Sequence, residues 1–298
     1  MNVILVGPFV GELFWEIFRF VPYINYLRFV KFKNEDIKFI VYTRRDRFDL
    51  YGMVADLFVS LDLNEHENHF FANCFRLDGF SDVEYYYLIN KFKKTYHKKY
   101  NIIDHIYPDI KRFTTRWQFP KNKMIFEYYP RKENKKILEK YLDIGNKKII
   151  TISPRYRNGL KRNWKYWNEF FDLIADDKKL NEKFFFIICG KYPDYIPDKK
   201  NRFFDINNIP ITNEISTIGL TTECIKKSIL TIGSQSGIPN LSLLLKTPVF
   251  SWGNEEKQHT IEYNIKKTKV HFLKDPNFDL DYKIIFEKIK IILSEYDD

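Results

Sequence analysis

The first residues that suggest chemistry are two glutamates that follow a glycine turn. In "VILVGPFVGELFWEI", residues 3–17, an apolar segment enters a turn containing Gly7 and Gly11, and Glu12 and Glu16 come next. Glycine turns after a first strand usually hold the phosphates of a cofactor. This turn offers carboxylates instead, which suit a general base. The alternative is a structural role, because a carboxylate in the first turn of a helix stabilises the helix by roughly 0.3–1 kcal/mol.

A basic loop marks a second candidate site. The segment "SPRYRNGLKRNW", residues 153–164, follows an apolar stretch that predicts a strand. It carries Arg155, Arg157, Lys161 and Arg162. Arginine pairs with phosphate oxygens through its planar fork, and lysine adds a point charge. The loop therefore predicts phosphate contact, although a charged loop is often only solvated.

A small-residue turn later in the chain suits the same ligand. In "TIGSQSGIPNLSLLL", residues 231–245, a predicted strand ends in a turn formed by Ser234, Gln235, Ser236 and Gly237. Pro239 then lies in the first turn of a predicted helix, a favoured place for proline. Backbone N–H groups at a helix start attract anions. With the basic loop, the turn predicts a diphosphate site, and the alternative is an ordinary serine N-cap.

The hydrophobic pattern predicts an α/β protein with two Rossmann-like domains facing across a cleft. Strands alternate with helices, which is typical of parallel sheets. The predicted elements are strands at 2–6, 37–42, 183–190, 230–233 and 247–253, a further strand that leads into the basic loop within 147–157, and helices at about 12–30, 47–59, 82–99, 166–177, 221–229, 238–246 and 282–296. The predicted domains are 1–120 and 148–275, joined by a connector at 121–147 and closed by a C-terminal helix within 276–298. Ligands of such sheets bind at the carboxyl ends of the strands.

Composition sets the range of partners. The chain has 298 residues and a formal net charge of +10, which favours polyanions or phosphorylated substrates. The Lys-, Asn- and Ile-rich composition also fits an AT-rich genome.

Cys74, Cys189 and Cys224 are widely spaced, which is typical of a reducing cytosol rather than of a zinc site or disulfide framework. No apolar run is long enough for a membrane span, and the N-terminus does not resemble a signal peptide.

These motifs resemble the GT-B glycosyltransferases, most closely their heptosyltransferase-like group. "SPRYRNGLKRNWKYWNEFFDLI" and "IGSQSGIPNLSLLLKTPVFSWG" are similar to that group's donor-domain segments, with Lys246 at a position usually held by glycine. The resemblance covers about residues 148–254, and more faintly 1–30. It implies a nucleotide-sugar donor held by the C-terminal domain, an acceptor bound by the N-terminal domain, inversion at the anomeric carbon, and no metal or other cofactor.

The resemblance also implies roles for individual residues. Lys161 and Arg162 would meet the donor diphosphate, Ser236 and Gly237 would form the turn that faces it, and Gly190 and Lys191 would lie beside the nucleoside. Gln235 stands where the family usually has aspartate, so a contact from that position is open. Gly11 and Glu12 match the Gly-Asp pair that carries the family's general base. The distance to Pro22 is about one helical turn longer than in the family, so Glu16 stays an alternative to Glu12.

Several functions remain open at the level of the sequence. The first is transfer of a sugar to a glycan or lipid-linked saccharide, by a cytoplasmic protein with or without peripheral contact to an anionic membrane surface. The second is glycosylation of hydroxymethylated DNA bases, suggested by the basic and aromatic segments "KFKKTYHKKY" (91–100) and "DIKRFTTRWQF" (109–119). A catalytically inactive nucleotide-sugar-binding protein and a nucleotide-sugar epimerase are the others.

Overall fold

The computed structural model describes residues 1–61, 71–73, 76–77, 81–109, 119–142, 144–155, 163–190 and 203–296. The chain forms two compact units. The first contains Met1–Asn134 and Ile211–Gly219, and the second contains Lys135–Pro210 and Leu220–Asp298. Within the described residues, no helix is long and apolar enough to span a membrane.

Each unit is built around a parallel sheet. The described strands are β1 (Asn2–Val6), β2 (Ile37–Thr43), β3 (Leu57–Ser60), β4 (Phe71–Asn73), β5 (Arg76–Leu77), β6 (Asn101–Ile106), β7 (Lys148–Ile152), β8 (Phe184–Ile188), β9 (Phe203–Asp205), β10 (Ser228–Ser234), β11 (Val249–Gly253) and β12 (Val270–Lys274). The first sheet has the order β3-β2-β1-β6 and the second β12-β11-β10-β7-β8-β9, with parallel pairing throughout. β4 and β5 form a separate antiparallel pair.

Helices and apolar side chains cover these sheets. The described α-helices are Leu13–Trp15, Val21–Tyr26, Asp82–His97, Lys132–Tyr141, Trp167–Asp176, Lys178–Lys183, Thr217–Lys227, Gly237–Leu244 and Tyr282–Ser294, with π-helical turns at Glu16–Phe20, Leu27–Lys31 and Gln258–Glu262. In the first unit, Val3, Leu5 and Ile40 pack on Phe92. In the second, three tryptophans join the aliphatic residues of the sheet: Trp164, Trp167 and Trp252. Parallel strands buried on both faces explain the long apolar runs in the sequence.

The sheet orders place a topological switch point in each unit. In the first sheet the chain leaves β1 toward β2 on one side, while β6 pairs with β1 on the other. In the second sheet β8 lies on one side of β7, and β10 lies on the other. Ligands of open parallel sheets bind beyond the carboxyl ends of the strands at such points. The segments that follow β1, β7 and β10 are therefore candidates for ligand binding.

Most of the predicted elements are present, but three predicted regions differ, and the structure has further strands that were not predicted. The predicted helix at 47–59 is wrong: Arg45–Tyr51 forms a 3₁₀-helix and Leu57–Ser60 forms β3, which pairs with β2. The segment predicted as a connector contains the helix Lys132–Tyr141. The helix predicted at 221–229 begins at Thr217 and ends at Lys227, so that β10 begins at Ser228. The sequence analysis also did not predict β4, β5, β6, β9 or β12.

Candidate functional site

The opening glycine turn lies at the switch point of the first sheet. The Gly7 N–H donates to the carbonyl oxygen of Ile106 at 2.7 Å, which joins the end of β1 to the end of β6. The buried Tyr85 hydroxyl lies 3.1 Å from the carbonyl oxygen of Pro8 and 2.8 Å from that of Pro108. The turn is therefore held in a fixed position at the edge of the sheet where ligands bind.

Close backbone packing explains the glycine at position 7. Gly7 has a φ of +94°, and a Cβ atom there would lie 2.2 Å from the carbonyl oxygen of Tyr42. No side chain fits that space, and the left-handed backbone also favours glycine. Gly11 is buried in the same turn. Of the two glycines in the predicted acceptor-side loop, Gly7 and Gly11, at least Gly7 is therefore required by the backbone structure itself.

Glu12 and Glu16 begin the helix that follows this turn, in different surroundings. Glu12 is partly buried at the N-cap position, and its carbonyl oxygen accepts the N–H groups of Trp15 and Glu16. Its side chain does not cap the helix. Glu16 is 1% exposed and begins the π-helical turn Glu16–Phe20. Such turns occur frequently at functional sites.

The Glu16 carboxylate is paired at both oxygens. Arg47 Nη1 donates to Oε2 at 3.0 Å, and the Tyr51 hydroxyl donates to Oε1 at 2.7 Å. Burial raises the pKa of Glu16 from its ordinary 4.5 to about 7, against the opposing effects of Arg47 and Tyr51. Burial also tends to raise the pKa of Asp46, but Arg44 and Arg47 outweigh it, and the pKa of Asp46 is lowered.

The sequence analysis missed the arginines that follow β2, one of which, Arg47, pairs with Glu16. Arg44, Arg45 and Arg47 follow β2, whose carboxyl end lies beside that of β1. Arg44 binds Asp46 through two hydrogen bonds, at 3.0 and 3.1 Å, and Arg45 Nε donates to Ser60 Oγ at 3.1 Å. The available signal was the segment "TRRDR" after an apolar strand, the same pattern that identified the basic loop of the second half.

Two aromatic residues beside Glu12 are more exposed than a core position would be. We expect Phe14 and Trp15 from the sequence to be core residues, yet both are only partly buried. Their rings pack edge to face, with centroids 5.2 Å apart, and Phe14 also stacks on Phe18. The turn therefore combines a carboxylate with aromatic surface.

The second candidate site lies at the switch point of the second sheet. The segment after β7, Ser153 to Arg155, lies beside the end of β10, because the Ser153 N–H donates to the Ile232 carbonyl oxygen at 2.7 Å. Arg155 Nη1 lies 3.5 Å from the carbonyl oxygen of Gln235. The structure thus brings together the described parts of the predicted basic loop and the predicted serine turn.

The serine turn has polar groups that the described protein does not satisfy. The Ser234 side chain is fully buried at the end of β10, and its hydroxyl has no hydrogen-bond partner among the described residues. Ser236 occupies the N-cap position of the helix Gly237–Leu244, but its side chain does not cap the helix. The ordinary N-cap explanation for this serine is therefore wrong. An uncapped N-terminus leaves N–H donors for an anion.

Gln235 and Gly190 have clear structural roles at this edge. The Gln235 amide bonds the backbone of Glu255 twice, with Nε2 donating at 3.1 Å and Oε1 accepting at 3.2 Å. Its side chain thus joins the segments after β10 and β11. A Cβ atom at Gly190 would lie 2.2 Å from the carbonyl oxygen of Pro154, so only glycine fits there. Their predicted contacts with the donor stay predictions.

Four predicted site residues lie outside the described part of the chain: Arg157, Lys161, Arg162 and Lys191.

The buried cysteines Cys189 and Cys224 are free thiols. His259 is buried, and neither of its ring nitrogens has a hydrogen-bond partner in the described structure. Burial lowers the pKa of His259 to about 4.

Comparisons with solved structures identify the fold. The E. coli ADP-heptose lps heptosyltransferase II matches with a TM-score of 0.59 and 10% identity, over 100% of both chains. A glycosyl transferase family 9 protein from Veillonella parvula matches with a TM-score of 0.57 and 9% identity, over 99% of this chain and 97% of the other. The E. coli heptosyltransferase WaaC with ADP matches with a TM-score of 0.53 and 10% identity, over 98% and 99%.

The heptosyltransferase-like GT-B fold and the two Rossmann-like domains predicted from the sequence are therefore confirmed. No protein-family model matches the sequence. The search of curated proteins also gives no match. At about a tenth of identical residues, the likeness to these structures concerns the fold, and activity has to be argued from the residues of this chain.

Proposed function

We propose that this chain, which has the GT-B fold of the heptosyltransferases, is a glycosyltransferase that moves a sugar from a nucleotide-sugar donor to an acceptor hydroxyl. The observation that carries the proposal is the uncapped start of the helix Gly237–Leu244. It lies at a sheet switch point, next to Arg155 and the buried Ser234 hydroxyl, for which the described part of the chain offers no hydrogen-bond partner. Such groups suit the diphosphate of a nucleotide sugar.

The diphosphate is the leaving group of the proposed reaction. Negative charge grows on its oxygens as the bond to the sugar breaks. The helix N-terminus and the Arg155 guanidinium are fixed positive groups that stabilise this charge. Arg157, Lys161 and Arg162 would add to it, in accordance with the sequence prediction. In this proposal the protein alone supplies the charge that the leaving group needs, without a metal ion.

The acceptor hydroxyl needs a base that removes its proton as it attacks the anomeric carbon. We assign this role to Glu12 rather than Glu16. Both Glu16 oxygens are occupied by Arg47 and Tyr51, and the side chain is almost fully buried. Glu12 is only partly buried, at the carboxyl edge of the first sheet, where a substrate can approach. Attack opposite the leaving group inverts the anomeric carbon.

The acceptor we favour is a saccharide, either free or lipid-linked. The DNA alternative depends on basic and aromatic residues near 91–100, where Lys91, Lys93 and Lys94 are exposed. However, the neighbouring Phe92 is buried against the first sheet and does not offer its ring to a base. Binding to duplex DNA that falls steeply with salt would favour the alternative over the saccharide.

A thermal-shift screen of nucleoside diphosphates and their sugars tests donor binding. A ligand at 100 times its dissociation constant stabilises the folded state by about 2.7 kcal/mol. Arg155→Ala should weaken the shift for every diphosphate ligand. Arg45→Ala, which removes an exposed arginine in the first unit, is the matched control and should leave the shift unchanged. If no nucleotide shifts the wild-type transition, the proposed donor site is wrong.

Product analysis then separates the remaining functions. A transferase releases nucleoside diphosphate from a bound donor. The release is slow when water takes the sugar and faster when an acceptor takes it. An epimerase converts the donor without an acceptor. A protein that binds nucleotide sugars but never releases the diphosphate would be the inactive binding protein, and that result would overturn the proposed activity while leaving the binding site intact.

A further inference from the structure

The helix Tyr282–Ser294 is apolar on two opposite faces. One face, with Ile285, Ile289 and Ile292, is buried in the core of the second unit. On the other, Ile284 is 55% exposed and Ile291 is 60% exposed. These two are seven residues apart, so they lie on the same side of the helix, two turns from each other. The first face explains the fold, and the second has no structural function in the described protein.

The exposed isoleucines form part of an open groove. The groove has a volume of about 460 Å³, and it includes Leu273 of β12, the edge strand of the second sheet. Its lining residues are Leu273, Lys283, Ile284, Glu287, Lys288 and Ile291. An apolar surface bordered by charged residues at a sheet edge is typical of an interaction site.

The charges along this groove are mainly positive. Lys283 and Lys288 line it. Its one lining carboxylate, Glu287, lies 3.6 Å from Lys290, which also lies 3.7 Å from Asp177 and so offsets the charge of Glu287 only in part. Nearby, Glu295 is paired with Lys269, and Lys274 is exposed at the end of β12. A partner that fits this groove therefore has an apolar layer for the isoleucines and an adjacent anionic layer for the lysines.

We propose that this face, the Ile284–Ile291 surface (Leu273, Lys283, Ile284, Lys288 and Ile291), docks on an anionic lipid membrane. The two isoleucines enter the boundary between headgroups and acyl chains, and the lysines contact the headgroups. Dimerisation fits less well, because two isoleucines and one leucine cannot supply the ~800 Å² per partner that a stable interface buries. The inference does not depend on the proposed transferase activity.

Sedimentation with phosphatidylcholine vesicles, with and without phosphatidylglycerol, tests the proposal on the full chain. We expect binding to vesicles that contain phosphatidylglycerol, and at most weak binding to pure phosphatidylcholine. Lys283→Ala and Lys288→Ala should each weaken binding about fivefold. The double variant Ile284→Gln/Ile291→Gln should abolish detectable binding. Both isoleucines are mostly exposed, so the fold should persist, and circular dichroism checks this.

The matched control is Val30→Gln/Val83→Gln, which removes two exposed apolar residues from the first unit. It should bind vesicles like the wild type. Equal binding by the isoleucine double variant would mean that the net charge alone attracts the protein, and the proposal would be overturned. A wild type that ignores anionic vesicles but forms a dimer lost in the double variant would also overturn it, in favour of a second copy as the occupant.

Discussion

The Tyr51 hydroxyl donates a hydrogen bond of 2.7 Å to Glu16 Oε1, inside the first unit and behind the opening glycine turn. With Arg47 on the other oxygen at 3.0 Å, this contact makes Glu16 part of the scaffold. The two candidate glutamates of the sequence thus lie in different surroundings: Glu16 is buried and paired at both oxygens, and Glu12 is partly buried at the N-cap position.

This division predicts that Glu12→Gln abolishes most of the turnover. Loss of a general base typically costs 10²–10⁴-fold in rate. We expect kcat to fall by at least about 100-fold while the thermal shift with nucleoside diphosphates stays unchanged. The matched comparison is the variant Glu16→Gln. Its kcat should fall much less, provided that the measurement is made at a temperature where this variant is folded. The reverse order of the two effects would show that Glu16 is the base.

The raised pKa of Glu16 predicts a pH-dependent stability. Its pKa is about 7 in the folded state, against 4.5 as the ordinary value, so the folded protein binds the proton more tightly. The stabilisation is complete below pH 4.5, decreases as the pH rises, and is lost above about 7. The pKa difference corresponds to about 3 kcal/mol. Urea unfolding of the wild type and Glu16→Gln across this range should show the difference.

The lowered pKa of His259 changes stability with pH in the opposite direction, so its contribution has to be separated from that of Glu16. Its pKa is about 4 in the folded protein and ordinarily 6.5, so the unfolded chain takes up the proton first. Stability from His259 is therefore present above pH 6.5 and is lost as the pH falls toward 4. Repeating the comparison in a His259→Leu background removes this contribution. If the difference between wild type and Glu16→Gln is flat with pH, the raised pKa of Glu16 is wrong.

Close packing around the opening turn predicts a severe effect of Gly7→Ala. The added methyl group would lie 2.2 Å from the Tyr42 carbonyl oxygen, at a φ of +94°. We expect a loss of about 3 kcal/mol or more in unfolding free energy. Gly145→Ala is the control: its φ is +53°, but nothing lies within 4 Å of the added atom. It should cost only about 1–2 kcal/mol, and equal losses would contradict the packing argument.

A buried carboxylate holds the segment Ile211–Gly219 in the first unit. Asp49 accepts hydrogen bonds from the Arg131 N–H and guanidinium, and from the Ser216 hydroxyl at 2.6 Å. Asp49→Asn leaves the arginine charge uncompensated and should destabilise the first unit by about 3–5 kcal/mol. Ser216→Ala keeps the ion pair and should cost only about 1–3 kcal/mol.

Hydrogen–deuterium exchange of peptides from residues 211–219 gives the local measurement for these variants. Exchange should rise strongly in Asp49→Asn and moderately in Ser216→Ala, because the segment loses its attachment to the first unit. Unchanged exchange in Asp49→Asn would mean that other contacts hold the segment.

The sequence predicted elements well where the local pattern and the tertiary environment agree. The apolar run of β1 and the helix Trp167–Asp176 with its buried face are examples. It failed at residues 47–59, because β3 is stabilised by pairing with β2 rather than by its own pattern. The exposed, polar-rich β6 was missed for the same reason. Edge strands depend on a neighbour that is distant in sequence.

For the candidate sites, residue types and their order were enough to select the glycine turn, the serine turn and the two glutamates as candidates. These signals are local: a strand end, a turn and a helix start are specified by adjacent residues. The burial of Glu16, its pairing with Arg47 and Tyr51, and the absence of a cap from Ser236 were decided only by the tertiary structure. Each depends on which segments the sheet order brings together, and that order is fixed by packing across the whole unit.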